Sequence, residues 1–207
     1  MKNILVLAPH TDDGELGLGA TISKYIRNGD DVTYVAFSTA DQSIPNGFPK
    51  NALEIEVKSA TEKLGIKAEN LIIFGYEVRK LNYVRQNILE ELIKIKQNKK
   101  YDVVFVPSLH DIHQDHQTIA MEAVRAFKNT TLLGYELIWN NLTFSTECFI
   151  EVTEEDINNK YLALKEYKTQ AGRNYMSKEF IFSLAIARGV QAGCQYAEAF
   201  EVIRLFL

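Results

Sequence analysis

Two cysteines, Cys148 and Cys194, are all that the 207 residues contain. That number excludes a disulfide framework and predicts two reduced thiols in a cytosolic protein. No apolar run approaches the roughly 18 residues that a transmembrane helix needs. The opening "MKNILVLAPHTDDGE" has a short apolar run that ends in acids. It lacks the longer apolar region and small-residue cleavage site of a signal peptide, so the predicted location is the cytoplasm. The net charge of −4 is spread along the chain, without the basic stripe that a nucleic-acid surface carries. "KQNKKY" (96–101), the densest basic stretch, reads as a solvated helix end. Internal repeats, low-complexity segments and linkers are missing too, and the expectation is one domain over residues 1–207.

What is there is an average globular composition, 46% hydrophobic and 24% charged. Four β-branched runs, "ILVLA" (4–8), "VTYVAF" (32–37), "LIIF" (71–74) and "VVFV" (103–106), are apolar without alternation. Such runs suit strands covered on both faces of a parallel sheet. Helix-period stretches separate them: "GATISKYIRNGD", "LEIEVKSATEKLGI" and "YVRQNILEELIKIKQN". This alternation predicts an α/β fold, a Rossmann-like doubly wound and mostly parallel sheet in a three-layer α/β/α sandwich. Beyond residue 130, "TLLGYELIW", "ECFIEVT" and "AEAFEVIRLF" read as strands, and "EEDINNKYLALKEYKTQ" and "KEFIFSLAIARG" as helices.

The chain holds four histidines, and all of them follow predicted strands. His10 lies in "LAPHTDDGELGLGAT" (7–21), whereas His110, His113 and His116 lie in "PSLHDIHQDHQTIAMEA" (107–123). In a sheet ordered 3-2-1-4, strands one and four are neighbours, and ligand sites form beyond their carboxyl ends at the switch point. His10, Asp12, Asp13, His113, Asp115 and His116 are therefore expected to converge across about a hundred residues. Imidazoles and carboxylates in one pocket suit zinc, and three protein ligands plus a water mark a catalytic site. His10, Asp13 and His116 are the expected ligands. Asp12, between two of them but pointing elsewhere, is placed to take a proton from an activated water. Taken alone, Asp12 or Asp13 could be a helix N-cap, and His110 a plain loop residue. Gly14, Gly17 and Gly19 do not match the dinucleotide fingerprint and are expected to permit close approach at the helix start.

The stretches "PHTDDGELGLGATI" and "HQDH" (113–116) resemble the two motifs of the LmbE-like, or PIG-L, family of zinc-dependent N-acetyl-sugar deacetylases. The likeness continues through "SATEKLGI", "GYELIWNNLTF", "KYLALKEYKTQ" and "RGVQAGCQYAEAF". It implies His10, Asp13 and His116 as zinc ligands and Asp12 as general base. It also implies His113 as a protonated partner of the oxyanion or leaving amine, oriented by Asp115, and Tyr196 as an oxyanion-side hydroxyl. Thr11 stands where the family has proline, and Leu53 where it has an arginine. Arg173 and Arg188 are the candidates to replace that arginine, and Trp139 is expected in the core, with stacking on a sugar ring as the alternative. The implied reaction removes the N-acetyl group of an N-acetylglucosamine-type amino sugar or its conjugate and releases acetate. The alternatives are a zinc-dependent amidase on another small N-acylated metabolite, such as a thiol–sugar conjugate or antibiotic precursor, and an inactive ligand-binding relative. The expected partner is a small soluble substrate, with no nucleic acid and no stable membrane insertion. A homo-oligomer is left open.

Overall fold

The computed structural model describes residues 1–206, and Leu207 lies outside the described residues. Seven strands form one sheet: β1 (Asn3–His10), β2 (Asp31–Ser38), β3 (Leu71–Ile73), β4 (Val103–Pro107), β5 (Thr131–Tyr135), β6 (Cys148–Glu151) and β7 (Ala197–Arg204). Their order is β3-β2-β1-β4-β5-β7-β6. The first five run parallel, with Ile4 beside both Val32 and Val103, and β7 pairs antiparallel with β5 and β6. The expected 3-2-1-4 arrangement is present, and β1 and β4 flank the switch point.

Side chains alternate along a strand, and here both faces are covered. Ile4 and Val6 of β1 join one apolar cluster, Leu5 and Leu7 the other. The first cluster lies under α1 (Asp13–Arg27), α2 (Ala52–Leu64), α5 (Glu154–Leu164) and α6 (Lys178–Ala192), through Leu16, Val57, Ile157 and Ile181. The second lies under α3 (Arg85–Asn98) and α4 (Gln114–Ala126), through Ile88 and Ile119. This is the three-layer sandwich, and it explains why the strand sequences do not alternate.

Helix α1 is broken at Leu18, whose φ and ψ of −148° and 27° are not helical. The break opens a second helix start, and Glu198 of β7 caps it by accepting from the N–H groups of Ala20 and Thr21 at 3.3 and 2.7 Å. Lys160 of α5 neutralises that buried carboxylate at 2.7 Å. Gly17 precedes the break, and a Cβ there would stand 2.3 Å from the Tyr135 ring. At Gly14 a Cβ would meet the Tyr34 ring at 2.5 Å. Close approach, not phosphate binding, is what these two positions serve.

Several expected elements are shorter than their patterns. The "TLLGYELIW" strand stops at Tyr135, because the Asn141 side chain accepts from the Leu137 N–H at 2.8 Å and turns the chain. The helix expected through Gln170 ends at Leu164, and a 3₁₀ turn covers Lys168–Gln170. There Glu56 of α2 accepts from the Thr169 N–H and hydroxyl at 3.0 and 2.6 Å. Residues 81–84 are 3₁₀ rather than the first turn of α3. No helix among the described residues is long and apolar enough to cross a membrane.

Candidate metal centre

His10 ends β1, Asp12 and Asp13 open α1, and His113 and His116 stand at the start of α4 just beyond β4. The switch point thus brings together the two loaded loops. Asp12 is the N-cap of α1 by position, yet its side chain makes no capping bond. The cap role therefore does not occupy it. His113 is the N-cap of α4, and its Nδ1 accepts from the Asp115 N–H at 3.1 Å.

Three donor atoms close a triangle. His10 Nδ1 lies 3.1 Å from Asp13 Oδ2, His116 Nε2 lies 3.2 Å from the same oxygen, and the two nitrogens are 3.2 Å apart. A tetrahedral ion held at about 2.0–2.1 Å places its ligands about 3.3–3.4 Å apart, so this set fits a zinc-sized ion. The outward nitrogens are held as metal-binding imidazoles usually are, by carboxylates. His10 Nε2 meets Asp115 Oδ2 at 3.0 Å, and His116 Nδ1 meets Asp111 Oδ2 at 2.7 Å. With their protons on those outer nitrogens, both rings turn a lone pair toward the same point. A ring nitrogen of His113 lies within 4.8 Å of the other two imidazoles, a looser fit than that of Asp13.

The charges are tightly coupled. Burial alone would push the His10 and His116 imidazoles down, but Asp13 above all raises them to about 9 and about 10. Burial would raise the Asp13 carboxyl, and the two imidazoles instead hold it far below its ordinary value. Asp12 is pushed up to about 6 by burial and by the neighbouring Asp13 charge. His113 is pushed below its ordinary value by burial, then by His116 and His10.

Two expectations about this shell change. The Asp115 carboxylate does not orient His113: it accepts from His10 and from the N–H groups of Arg79 and Leu81, and only its own N–H reaches His113. The protonated His113 implied by the resemblance is disfavoured here, because burial and the neighbouring His116 and His10 push the ring below its ordinary value. Its Nδ1 is an acceptor, so its single proton sits on Nε2 and it remains a donor without charge.

Around the centre is a cleft of about 290 Å³ whose lining includes Leu53, Arg79, Trp139, Asn140, Arg173 and Tyr175. Trp139, expected in the core, is half-buried and stacks on Tyr175 with ring centroids 3.9 Å apart. Tyr196 does not line the cleft: it is buried in the core with its ring edge-on to Phe182. Arg188 is not free for substrate either, because Glu136 pairs with it beside a separate small cavity. Of the two candidate arginines, Arg173 alone lines the cleft.

Beneath the metal loop, the Thr11 carbonyl accepts from the Tyr34 and Tyr167 hydroxyls, and both hydroxyls also meet the Glu15 carboxyl. Burial, partly offset by the tyrosine bonds, pushes Glu15 up to about 8. With Glu15 protonated, Glu15 donates to Tyr34 and Tyr34 donates to Thr11, while the single Tyr167 proton is shared between the Thr11 carbonyl and Glu15. Sequence reasoning missed Asp111, Arg79 and Tyr175. Asp111 was visible in "HDIHQDH", whereas the other two lie in loops without a motif.

Known proteins resemble this chain over most of its length. The chain is 28% identical over 173 residues to the uncharacterized deacetylase YaiS of Escherichia coli K12, covering 81% of this chain and 91% of that protein. It is 22% identical over 228 residues to a diacetylchitobiose deacetylase of Thermococcus kodakarensis, covering 98% of this chain and 84% of that one. The crystal structure of the conserved protein TT1542 from Thermus thermophilus superposes with a TM-score of 0.83 at 25% identity, covering 100% of this chain and 97% of that one. The PIG-L family model, described as GlcNAc-PI de-N-acetylase, matches residues 5–127, and the chain belongs to that family.

Proposed function

We propose that this protein is a zinc-dependent deacetylase that hydrolyses the N-acetyl group of an N-acetylglucosamine-type sugar or its conjugate and releases acetate. The observation that carries the reading is the triangle of His10, Asp13 and His116 donor atoms at 3.1–3.2 Å, backed by Asp111 and Asp115. Zinc, when bound there, would polarise the amide carbonyl and make water acidic enough to attack at neutral pH.

The chain's own residues supply the rest. Asp12, free of a capping bond and with its carboxyl raised to about 6, takes the proton of the attacking water. It then returns that proton to the departing sugar nitrogen, so that acetate and the free amine leave. His113, neutral with its proton on Nε2, donates to the oxygen that gains charge as the amide carbon becomes tetrahedral. Asp115 fixes His10 and, through its N–H, the tautomer of His113. The stacked pair Trp139 and Tyr175 offers an apolar wall to the sugar ring. Tyr175, rather than Tyr196, is the tyrosine that lines the cleft. We further propose that the chain works as one domain over residues 1–207, acting on a small soluble substrate in the cytoplasm.

The test combines metal analysis with acetate release from N-acetyl hexosamines, their nucleotide conjugates and N-acetyl peptides. About one zinc per chain and cleavage of sugars are expected. Cleavage of peptides alone would overturn the sugar assignment, and full zinc occupancy in His116→Ala would overturn the ligand set.

A further inference from the structure

The cleft walls hold both of the described non-glycine residues with positive φ, Ala40 at 51° and Arg79 at 65°. A side chain in this left-handed region costs free energy that a glycine would not. At Arg79 the strained backbone is pinned, because its N–H donates to Asp115 Oδ2 at 2.6 Å, the same oxygen that holds His10. Glycine would make that turn and that bond equally well, yet an arginine stands there. What the position adds is a guanidinium, and it lines the cleft beside the metal centre.

That guanidinium has no acidic partner. Among the described residues Arg27, Arg85, Arg125 and Arg188 each pair with a carboxylate, whereas Arg79 touches only the Ser43 hydroxyl at 3.4 Å. Arg173, the other arginine lining the cleft, also has no carboxylate within pairing distance among the described residues. It approaches from the opposite segment of the chain, beside the Tyr175 hydroxyl. Both side chains are exposed at the rim, while Asp13 lies deeper and is engaged by His10 and His116, and Asp12 lines the cleft without a histidine partner. Guanidinium groups favour planar anions because they offer paired donors in a fixed fork.

We propose that Arg79 and Arg173 form an anion subsite at the rim, and that the sugar substrate carries a carboxylate or phosphate on the side away from its N-acetyl group. The identity of the sugar end rests on the deacetylase reading, whereas the anion subsite stands on the two arginines. Asp115 then serves two ends of one substrate: it orients a metal ligand with its carboxylate and fixes the backbone that presents Arg79.

Three matched probes test this: neutral methyl N-acetylglucosaminide, N-acetylglucosamine 1-phosphate and a carboxymethyl N-acetylglucosaminide. Affinity is read by calorimetry and turnover by acetate release, on the zinc-loaded full chain. At least one anionic probe is expected to bind about tenfold or more tighter than the neutral one, mainly through KM in turnover. Arg79→Gln and Arg173→Gln should each remove most of that advantage, and Arg79→Lys should restore only part. Arg79→Gly, which relieves the backbone, should keep the melting temperature but lose the advantage. An advantage confined to phosphate or to carboxylate supports the subsite and names its ligand. Equal affinity for all three probes, or an advantage that survives both glutamine variants, overturns it. Tighter anion binding without acetate release from any probe would leave the subsite standing and sink the deacetylase reading.

Discussion

The two ends of this chain contribute to the cleft in different ways. Residues 3–126 carry the proposed metal-ligand triangle on β1, α1 and α4, and the family match covers much the same span, residues 5–127. Residues 131–206 add the antiparallel strands and one wall of the cleft, including Trp139, Arg173 and Tyr175. The first region holds chemistry on short loops at strand ends, where few conformations are open. The second places Trp139, Arg173 and Tyr175, proposed for recognition, on 3₁₀ turns and irregular segments, which can vary without disturbing the centre, whereas Arg79 joins them from a turn of the first. Still, they are not independent: Tyr135, Glu198 and Asp156 all reach back from the second region to brace α1.

The largest test of this division lies wholly within the first region. Asp12→Asn keeps shape but removes the base, so kcat should fall by roughly 10²–10⁴-fold with metal content unchanged. The acid limb of the wild-type rate profile should lie at or below about pH 6, since Asp12 must be ionised and a bound cation favours that form. Near-normal turnover in the variant would assign the proton transfer elsewhere.

A smaller effect is expected one step out. Asp111→Asn weakens the grip on His116 Nδ1 and should lower zinc affinity roughly 10–100-fold in a competition titration. An unchanged affinity would mean that His116 is oriented by packing alone.

Gly17→Ala probes the contact between the regions. The new methyl would push into the Tyr135 ring, and overpacking of this kind costs about 1–3 kcal/mol. Urea unfolding measures it, and a companion Tyr135→Leu change should recover part of the loss if the ring is the cause.

The mildest case is Asp156→Asn. Asp156 caps α5 through Thr153 and bonds Ser23 and Arg27 of α1. Burial would raise its carboxyl, but Arg27, Thr153 and Ser23 hold it below the ordinary 3.8. A depressed folded pKa stabilises above about pH 4, and that stability disappears as pH falls through the folded value. The variant should lose about 1 kcal/mol at pH 7 and show a flatter decline in stability below pH 4. Identical acid unfolding of the two proteins would remove Asp156 from the link between α5 and α1.

Much of the first region was legible because its signals are local and coincide. Unalternating β-branched runs require a sheet buried on both faces, and four histidines placed only after the first and fourth strands need one switch point to meet. The roles within the centre were less legible. Asp115 lies two residues beyond His113 in the chain, yet its carboxylate turns to His10 from the other loop, since at the start of α4 Asp115 points its N–H, not its side chain, at the N-cap His113. Tyr196 and Arg188 misled because residue type alone does not say which distant groups a side chain will pack against or pair with. Tyr196 is a core ring, and Glu136 on a neighbouring segment engages Arg188.

By itself, then, the sequence determined the α/β class, the strand order around the switch point and the set of groups able to hold a metal, because periodicity and strand-end position are properties of nearby residues. Only the tertiary structure decided which carboxylate backs which imidazole, that burial and two imidazoles push His113 below its ordinary value, and that Arg79 and Arg173 share the cleft with Trp139 and Tyr175. Those outcomes depend on contacts between residues tens of positions apart, where burial and facing charges, rather than local pattern, set each group's partner and protonation.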